Sequence, residues 1–248
     1  MLRIYIDNKE VGVDDFNKSL SNNSGNSFIE TIKVLKQGFE IDIPNQYRIV
    51  YDELAKAGWY IDYHLAPKTL ADLMLLDYTN MTYLDYHLTD YFRKKVKTIH
   101  RKIQKLYPDR RKIIDCAFRT HKRKEYELSI PIFLIQVDGI CFDLIQKDFF
   151  SVSNPKREKN KELPKHWVLE QQFNNFQNSV LEPLYKNEYP SVRIDRKDLY
   201  PFALNRNAIL HGRDISYATE RNSLKAISLL NYISIIVANI KYERCTPS

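Results

Sequence analysis

The sequence predicts an all-α protein. Only six of the 248 residues are glycine, which disfavours the tight turns that join strands into hairpins. Leu, Ile, Lys and Glu are abundant, a composition typical of helices. The chain is 44% hydrophobic and 12% aromatic, so it can bury a sizeable core as one large domain or as a domain with an N-terminal extension.

Residues 1 to about 75 are predicted to form a small N-terminal accessory region. The first eleven residues, MLRIYIDNKEV, alternate apolar and polar side chains, a pattern typical of a short strand. Helical spacing follows from Ser27 to Lys36 and from Arg48 to Gly58. The rest of the chain, residues 76–248, is predicted to form a single helical domain.

Two basic helices are predicted next, one from Tyr83 to Leu106, ended by Pro108, and one from Asp109 to about Lys124. Residues 129–150 follow and are apolar on nearly all sides. Their Asp138-Gly139 pair is either the turn of a β-hairpin or the point where one core helix ends and another begins. The helical surroundings favour two helices.

The C-terminal part of the chain predicts a charged loop at 151–164, a helix from His166 to about Tyr185, and a last helix from about Thr219 to Lys241. The last helix carries an apolar stripe with spacings of three and four residues. Most of the residues on its other side are polar, so we expect an amphipathic helix that packs on the core by one side. These polar residues are Lys225, Ser228, Asn231 and Asn239.

Several classes of protein are disfavoured by the composition. No run approaches the roughly 18 to 20 uninterrupted apolar residues of a membrane span, and the N-terminus lacks the apolar core of a signal peptide, so a cytoplasmic protein without membrane contact is expected. Glycine-rich phosphate loops are absent. The three cysteines, Cys116, Cys141 and Cys245, show no metal-binding or disulfide spacing. No cofactor and no metal site are expected.

Positive charge is concentrated between Arg93 and Lys124. This segment holds fourteen Lys and Arg against two Asp, a net charge of +12, whereas the rest of the chain is at −5. Such asymmetry favours binding of a polyanion such as RNA over a merely solvated surface. The residues expected to contact RNA are Lys94, Lys97, Arg101, Arg110, Arg111, Arg119 and Arg123.

The segment NRNAILHG, residues 205–212, places Arg206 five residues before His211. Cleavage of RNA without a metal requires a base for the 2′-OH proton, an acid for the leaving 5′-oxygen and a cation for the phosphorane-like transition state. Imidazole can serve as base or acid near neutral pH, and guanidinium can hold two phosphate oxygens. The candidate catalytic residues are therefore Arg206 and His211, with Asn207 orienting the phosphate or the imidazole.

Two alternatives remain open at this segment. Arg93 and His100 have similar spacing inside the basic helix, and Arg206 with His211 can also be a helix end that makes local salt bridges or caps. The two side chains diverge by about 140° on a continuous helix, a gap that a second copy of the chain could close. Asp138 is either an acid that steers the basic motif or a residue with a local turn or capping role.

Residues 205–230, NRNAILHGRDISYATERNSLKAISLL, resemble the C-terminal signature of HEPN-superfamily proteins. In that signature an Arg, a polar residue, an apolar trio and a His precede a final packing helix. The resemblance implies a HEPN-like helical bundle with a metal-independent endoribonuclease site at a homodimer interface. Such sites are common in toxin–antitoxin and phage-defence systems, and a toxic nuclease implies a neutralising or regulatory partner.

The resemblance implies catalytic roles for Arg206 and His211, with Asn207 assisting. The alternative function is a non-catalytic RNA-binding or partner-binding helical module that uses the basic segment 93–124. A structural dimerisation protein that binds no nucleic acid is the third interpretation.

Overall fold

The computed structural model describes residues 4–6, 9–11, 33–34, 36–61, 81–151 and 163–243. At the N-terminus, where a short strand is predicted, strands β1 (Ile4–Ile6) and β2 (Lys9–Val11) pair antiparallel. All other regular structure in the described residues is helical, so the all-α prediction is confirmed. The helix predicted from Ser27 to Lys36 and the loop at 151–164 fall mostly outside the described residues.

Ten α-helices lie within the described ranges, and five of them have seven residues or fewer. In chain order they are α1 (Ile43–Lys56), α2 (Met81–Leu106), α3 (Arg111–Lys122), α4 (Tyr126–Ile145), α5 (Pro164–Glu170), α6 (Asn175–Val180), α7 (Glu182–Tyr185), α8 (Arg206–Leu210), α9 (Glu220–Asn231) and α10 (Ala238–Glu243). π-helical turns at Gly38–Asp42 and Tyr232–Val237 lead into α1 and join α9 to α10. Short 3-10 turns lie at Pro108–Arg110 and Ile194–Leu199.

The two basic helices are confirmed as α2 and α3. The chain leaves helical geometry at Tyr107, and Pro108 begins the 3-10 turn that leads into α3. Proline has a fixed φ and no backbone N–H, so it ends the first helix and is well suited to start the next turn. By contrast, the single helix predicted from His166 to Tyr185 is divided into α5, α6 and α7.

Helix α4 overturns both interpretations of the Asp138-Gly139 pair, because it continues through them from Tyr126 to Ile145 without a turn or a break. Gly139 has a packing role here. A Cβ at this position would lie 2.8 Å from Nη1 of Arg110. The missing side chain therefore leaves room for a guanidinium from the start of α3.

Helices α4 and α9 form the centre of the fold, with α9 packed against both α4 and α2. Among the described residues, α4 and the Glu220–Lys241 helix are long and apolar enough to cross a membrane by length and composition. In the latter, 94% of the apolar window is buried inside the protein, against 56% in α4. Core helices pass the same test, so this is weak evidence, and the cytoplasmic location stays a prediction.

The amphipathic character predicted for the last helix is wrong, because its polar side is buried as well. Lys225, Ser228 and Asn231 are at most 2% exposed. The segment after α1 covers this side, since the backbone N–H of Tyr60 donates a 3.2 Å hydrogen bond to Oγ of Ser228. Residues 47–61 of the predicted accessory region thus share one hydrophobic core with the helical domain.

A buried ionic cluster holds these elements together. Nζ of Lys225 lies 3.0 Å from Asp85 on α2 and donates a 2.9 Å hydrogen bond to the carbonyl of Phe202. Asp85 also accepts hydrogen bonds from Nε1 of Trp59 at 2.7 Å and from Arg221 at 2.9 Å. Burial lowers the pKa of Lys225, and Asp85 opposes that shift.

The substitution Asp85→Asn should destabilise the protein by about 3 to 5 kcal/mol, because it leaves the Lys225 ammonium buried without its counter-charge. Urea denaturation measures the loss. The matched control is Asp90→Asn on the same helix, where the carboxylate is exposed and should contribute nothing measurable. Equal stability of the two variants would show that the cluster is not needed for folding.

Candidate active site

The segment that holds the sequence-predicted catalytic residues is the short helix α8. Its N-cap is Asn205, whose side-chain oxygen accepts a 2.9 Å hydrogen bond from the backbone of Ala208. The Asn205 amide also donates to the carbonyl of Val192, and the backbone N–H of Arg206 donates to the carbonyl of Pro190 at 2.9 Å. The helix ends at His211, because Gly212 has a φ of +66°, which favours glycine.

Arg206 is half-buried and held by three neighbours. Its Nη2 lies 3.9 Å from Oδ2 of Asp138, and its Nη1 donates a 3.3 Å hydrogen bond to the side-chain oxygen of Asn207. The centre of the guanidinium lies 5.5 Å from the centroid of the Phe150 ring. Its buried Nε has no acceptor among the described residues. The group is therefore fixed in position but makes no short charge-assisted hydrogen bond within the described structure.

Other arginines of the chain are neutralised by much shorter contacts. Arg93 binds Glu220 with two hydrogen bonds of 2.8 and 3.0 Å. Arg123 binds Glu125 with two of 2.7 Å. Each of these bidentate pairs occupies the Nε–Nη2 edge of the guanidinium. Arg206 keeps more of its donor capacity for an external anion.

Asp138 faces Arg206 from the middle of α4. Its Oδ1 accepts a 3.1 Å hydrogen bond from the backbone of Phe150, and burial raises the pKa of the carboxyl while the Arg206 charge lowers it. An acid in the interior of a helix cannot serve as that helix's cap. Asp138 contacts the basic motif at 3.9 Å and also accepts a hydrogen bond from the turn that follows α4 at 3.1 Å.

Asn207 orients the arginine and not the imidazole. Its Nδ2 donates a 3.0 Å hydrogen bond to the carbonyl of Ser191, which leaves its oxygen directed at Arg206. Oγ of Ser191 is itself fully buried and has no partner among the described residues. The loop that carries Ser191 is therefore part of the arginine's surroundings.

His211 lies at the opposite end of α8 and is exposed. Its backbone N–H donates a 3.1 Å hydrogen bond to the carbonyl of Asn207, and its side chain contacts no partner within the described part of the chain. One short helix thus presents a fixed guanidinium at its start and a free imidazole at its end.

The similarly spaced Arg93 and His100 have structural partners instead. Nε2 of His100 lies 2.7 Å from Asp115, and the ring stacks on Phe118 with centroids 4.3 Å apart. Arg93 is held by Glu220. These contacts join α2 to α3 and to α9, and they leave neither group free for a substrate.

The seven residues expected to bind RNA divide into two groups. Lys94 and Arg123 pair with Asp90 and Glu125, and half-buried Arg110 binds Asp143 at 2.7 Å. The other four are exposed and make no ion pair among the described residues: Lys97, Arg101, Arg111 and Arg119. On α2 and α3, four more exposed lysines make neither an ion pair nor a contact with an aromatic ring among the described residues: Lys102, Lys105, Lys112 and Lys122.

We call these eight residues the free basic residues. Three of them, Arg111, Lys112 and Arg119, line one surface pocket at the start of α3. Arg110 connects this region to the candidate site, because its guanidinium lies against Gly139, the residue next to Asp138. The basic segment thus contains two kinds of cation. Some form ion pairs with carboxylates, and others are exposed and available to bind an anion.

An exposed apolar stripe borders the site on α4. Leu128, Ile135 and Phe142 are 55%, 51% and 47% exposed. Asp138 lies three residues after Ile135 and four before Phe142, so all three share one face of the helix. The sequence does not single out this stripe, because residues 129–150 are apolar on nearly all sides.

Phe150 and Ser191 are the site residues that the sequence does not indicate. Each lies far from Arg206 in the chain and shows no local pattern, so only the tertiary fold reveals them. Within the described residues no group of three or more His, Cys, Asp or Glu is arranged to hold a metal ion.

A comparison with known proteins does not assign the chain to a family. No protein-family model, curated protein or solved structure matches it.

Proposed function

We propose that the chain is a metal-independent endoribonuclease of the HEPN type. The observation that carries the proposal is the state of α8: Arg206 is fixed by its neighbours without being neutralised, and His211 is exposed and unpaired at the end of the same helix. The spacing of the pair also occurs at Arg93 and His100, but those groups are engaged in contacts between helices. The resemblance of residues 205–230 to the HEPN signature supports the same assignment.

In the proposed reaction a 2′-OH attacks the neighbouring phosphorus and the 5′-oxygen leaves. The 2′-oxygen loses its proton to a base, and the leaving oxygen gains one from an acid, so the products are a 2′,3′-cyclic phosphate and a 5′-OH. Arg206 binds the phosphate oxygens and stabilises the charge of the transition state. His211 transfers one of the two protons. Asn207 orients the Arg206 guanidinium through a hydrogen bond.

Purified protein should cleave labelled RNA in excess EDTA, and His211→Ala and Arg206→Ala should each lower the rate by about 10² or more. The matched control for the histidine is His100→Gln, which retains a hydrogen-bonding group for Asp115 and should cleave at the wild-type rate. Circular dichroism confirms that each variant is folded. Loss of cleavage in the His100 variant with retention in the His211 variant would refute the assignment.

One protomer contributes a single imidazole from this motif, whereas the reaction needs a base and an acid. We therefore propose that the active form is a homodimer in which two α8 segments share a site. The exposed stripe of Leu128, Ile135 and Phe142 beside Asp138 supports this proposal, because such apolar surface is typical of protein interfaces. The stripe is the proposed contact between the two copies.

The double substitution Ile135→Asp and Phe142→Asp should convert the dimer to a monomer and abolish cleavage, because it buries two charges at the contact. Light scattering after gel filtration measures the mass. The control is Leu169→Asp on α5, where the side chain is 63% exposed away from the stripe. A wild-type protein that is monomeric at assay concentrations would overturn the dimer proposal.

Phage defence or a toxin–antitoxin-like system is the proposed biological setting, with a neutralising or regulatory partner that restrains the nuclease. The resemblance of the α8 segment supports this setting. RNA is the proposed partner of the chain. Both the candidate catalytic residues on α8 and the positive charge of segment 93–124 support this proposal.

A second candidate function is a non-catalytic RNA-binding module. The specific observation in its favour is the set of eight free basic residues on α2 and α3, which need no change of structure to meet a phosphate backbone. This module requires neither Arg206 nor His211. It also explains why so many cations of one segment lack acidic partners within the described structure.

Replacing Lys97, Arg101, Arg111 and Arg119 together by alanine should weaken RNA binding and reduce the dependence of log K on log salt by about 3, since each single-strand phosphate contact contributes about 0.7. Fluorescence anisotropy across a salt series measures both quantities. Lys94→Ala with Arg123→Ala is the control, because those cations are already paired. RNA binding without any cleavage by the wild type would favour the module over the nuclease.

A further inference from the structure

We infer that Asp138 is a positioning residue that sets the orientation of Arg206, directly through its charge and indirectly through the ring of Phe150. The inference rests on the proposed nuclease function, because it assigns a role within that site. Asp138 itself is not placed against the substrate. It acts on the guanidinium that would bind the phosphate.

The direct contact is the 3.9 Å approach of Oδ2 of Asp138 to Nη2 of Arg206. Both side chains are partly exposed, at 25% and 30%, so the pair lies at the boundary between core and solvent. At this distance the charges attract without a short hydrogen bond between them. In the Arg93 pair with Glu220, by contrast, two donors of the guanidinium are engaged in hydrogen bonds. The arginine is thus oriented while its edge stays available to a phosphate.

The indirect contact uses the other oxygen of Asp138. Oδ1 accepts the backbone N–H of Phe150, which fixes the buried ring near which the guanidinium lies. The same loop is held from the other side, because Nδ2 of Asn187 donates to the carbonyls of Phe149 and Ser151 at 2.6 and 2.7 Å. The Asp138 carboxylate therefore acts on Arg206 in two ways: it supplies a negative charge near the guanidinium, and it holds the Phe150 ring beside it.

A purely structural role would leave part of this arrangement unexplained. Holding the Phe150 loop needs only a hydrogen-bond acceptor, which an asparagine would supply without the cost of desolvating a charge. Burial and the charge of Asp148 raise the pKa of Asp138, whereas the hydrogen bond from the Phe150 backbone and the charge of Arg206 lower it. The negative charge, as distinct from the acceptor, has Arg206 as its partner.

The test compares Asp138→Asn with Asp148→Asn. Asparagine at 138 keeps an acceptor for the Phe150 N–H and removes only the charge, whereas Asp148 is an exposed carboxylate two residues from Phe150. We expect Asp138→Asn to lower kcat about tenfold with KM changed less than twofold, and Asp148→Asn to change neither by more than about twofold. In an Arg206→Ala background, Asp138→Asn should cause no further loss. Additive losses in that double variant would overturn the inference.

A second readout does not depend on cleavage. The buried Nε–H of Arg206 should give a protected nuclear magnetic resonance signal, assigned by its absence in Arg206→Lys. Asp138→Asn should shift this signal and speed its exchange with water, and Asp148→Asn should not. An unchanged signal overturns the inference even if the protein cleaves RNA. If the signal shifts but the wild-type protein does not cleave RNA, the inference that Asp138 orients Arg206 stands and the proposed nuclease function is refuted.

Discussion

The buried ammonium of Lys225 is the interaction on which the position of the candidate site depends. Its partner Asp85 joins α2 to Trp59, and its hydrogen bond to the carbonyl of Phe202 holds the loop that leads into α8 four residues later. Gly58 makes this approach feasible, since it has a φ of +81° and a Cβ there would lie 3.1 Å from the backbone of Ala203. The start of α8, which carries the candidate residues, is therefore anchored in the core and not on the surface.

The arginines show how one residue type serves two purposes in the same fold. Arg93 and Arg110 bind carboxylates at 2.7 to 3.1 Å and thereby fasten α2 to α9 and α3 to α4. Arg206 faces a carboxylate too, but at 3.9 Å. A short pair contributes to the assembly of helices, whereas a long pair orients a cation whose donors remain free.

Features that depend on neighbouring residues could be predicted from the sequence, and features that depend on distant ones could not. Helices α2 and α3 follow from local periodicity and from Pro108, and Arg206, Asn207 and His211 follow from one motif. The continuity of α4 could not be foreseen, because the space beside Gly139 is filled by an arginine from another helix. The burial of the polar side of α9 could not be foreseen either, because the segment that covers it follows α1 and is distant in the sequence. Phe150 reaches Arg206 only through the fold.

Proton transfer places the strongest constraint on how the site can work. Arg206 is permanently charged near neutral pH and cannot act as base or acid. Asp138 is directed at Arg206 and at the Phe150 backbone. Of the three candidate residues, Arg206, Asn207 and His211, the histidine is the one whose side-chain type commonly serves as a general acid or base. A reaction that removes one proton and delivers another is most simply completed by a second imidazole. Because α4 presents exposed apolar residues beside Asp138, the surface that would bring a second copy of α8 into place lies next to the residues that need it.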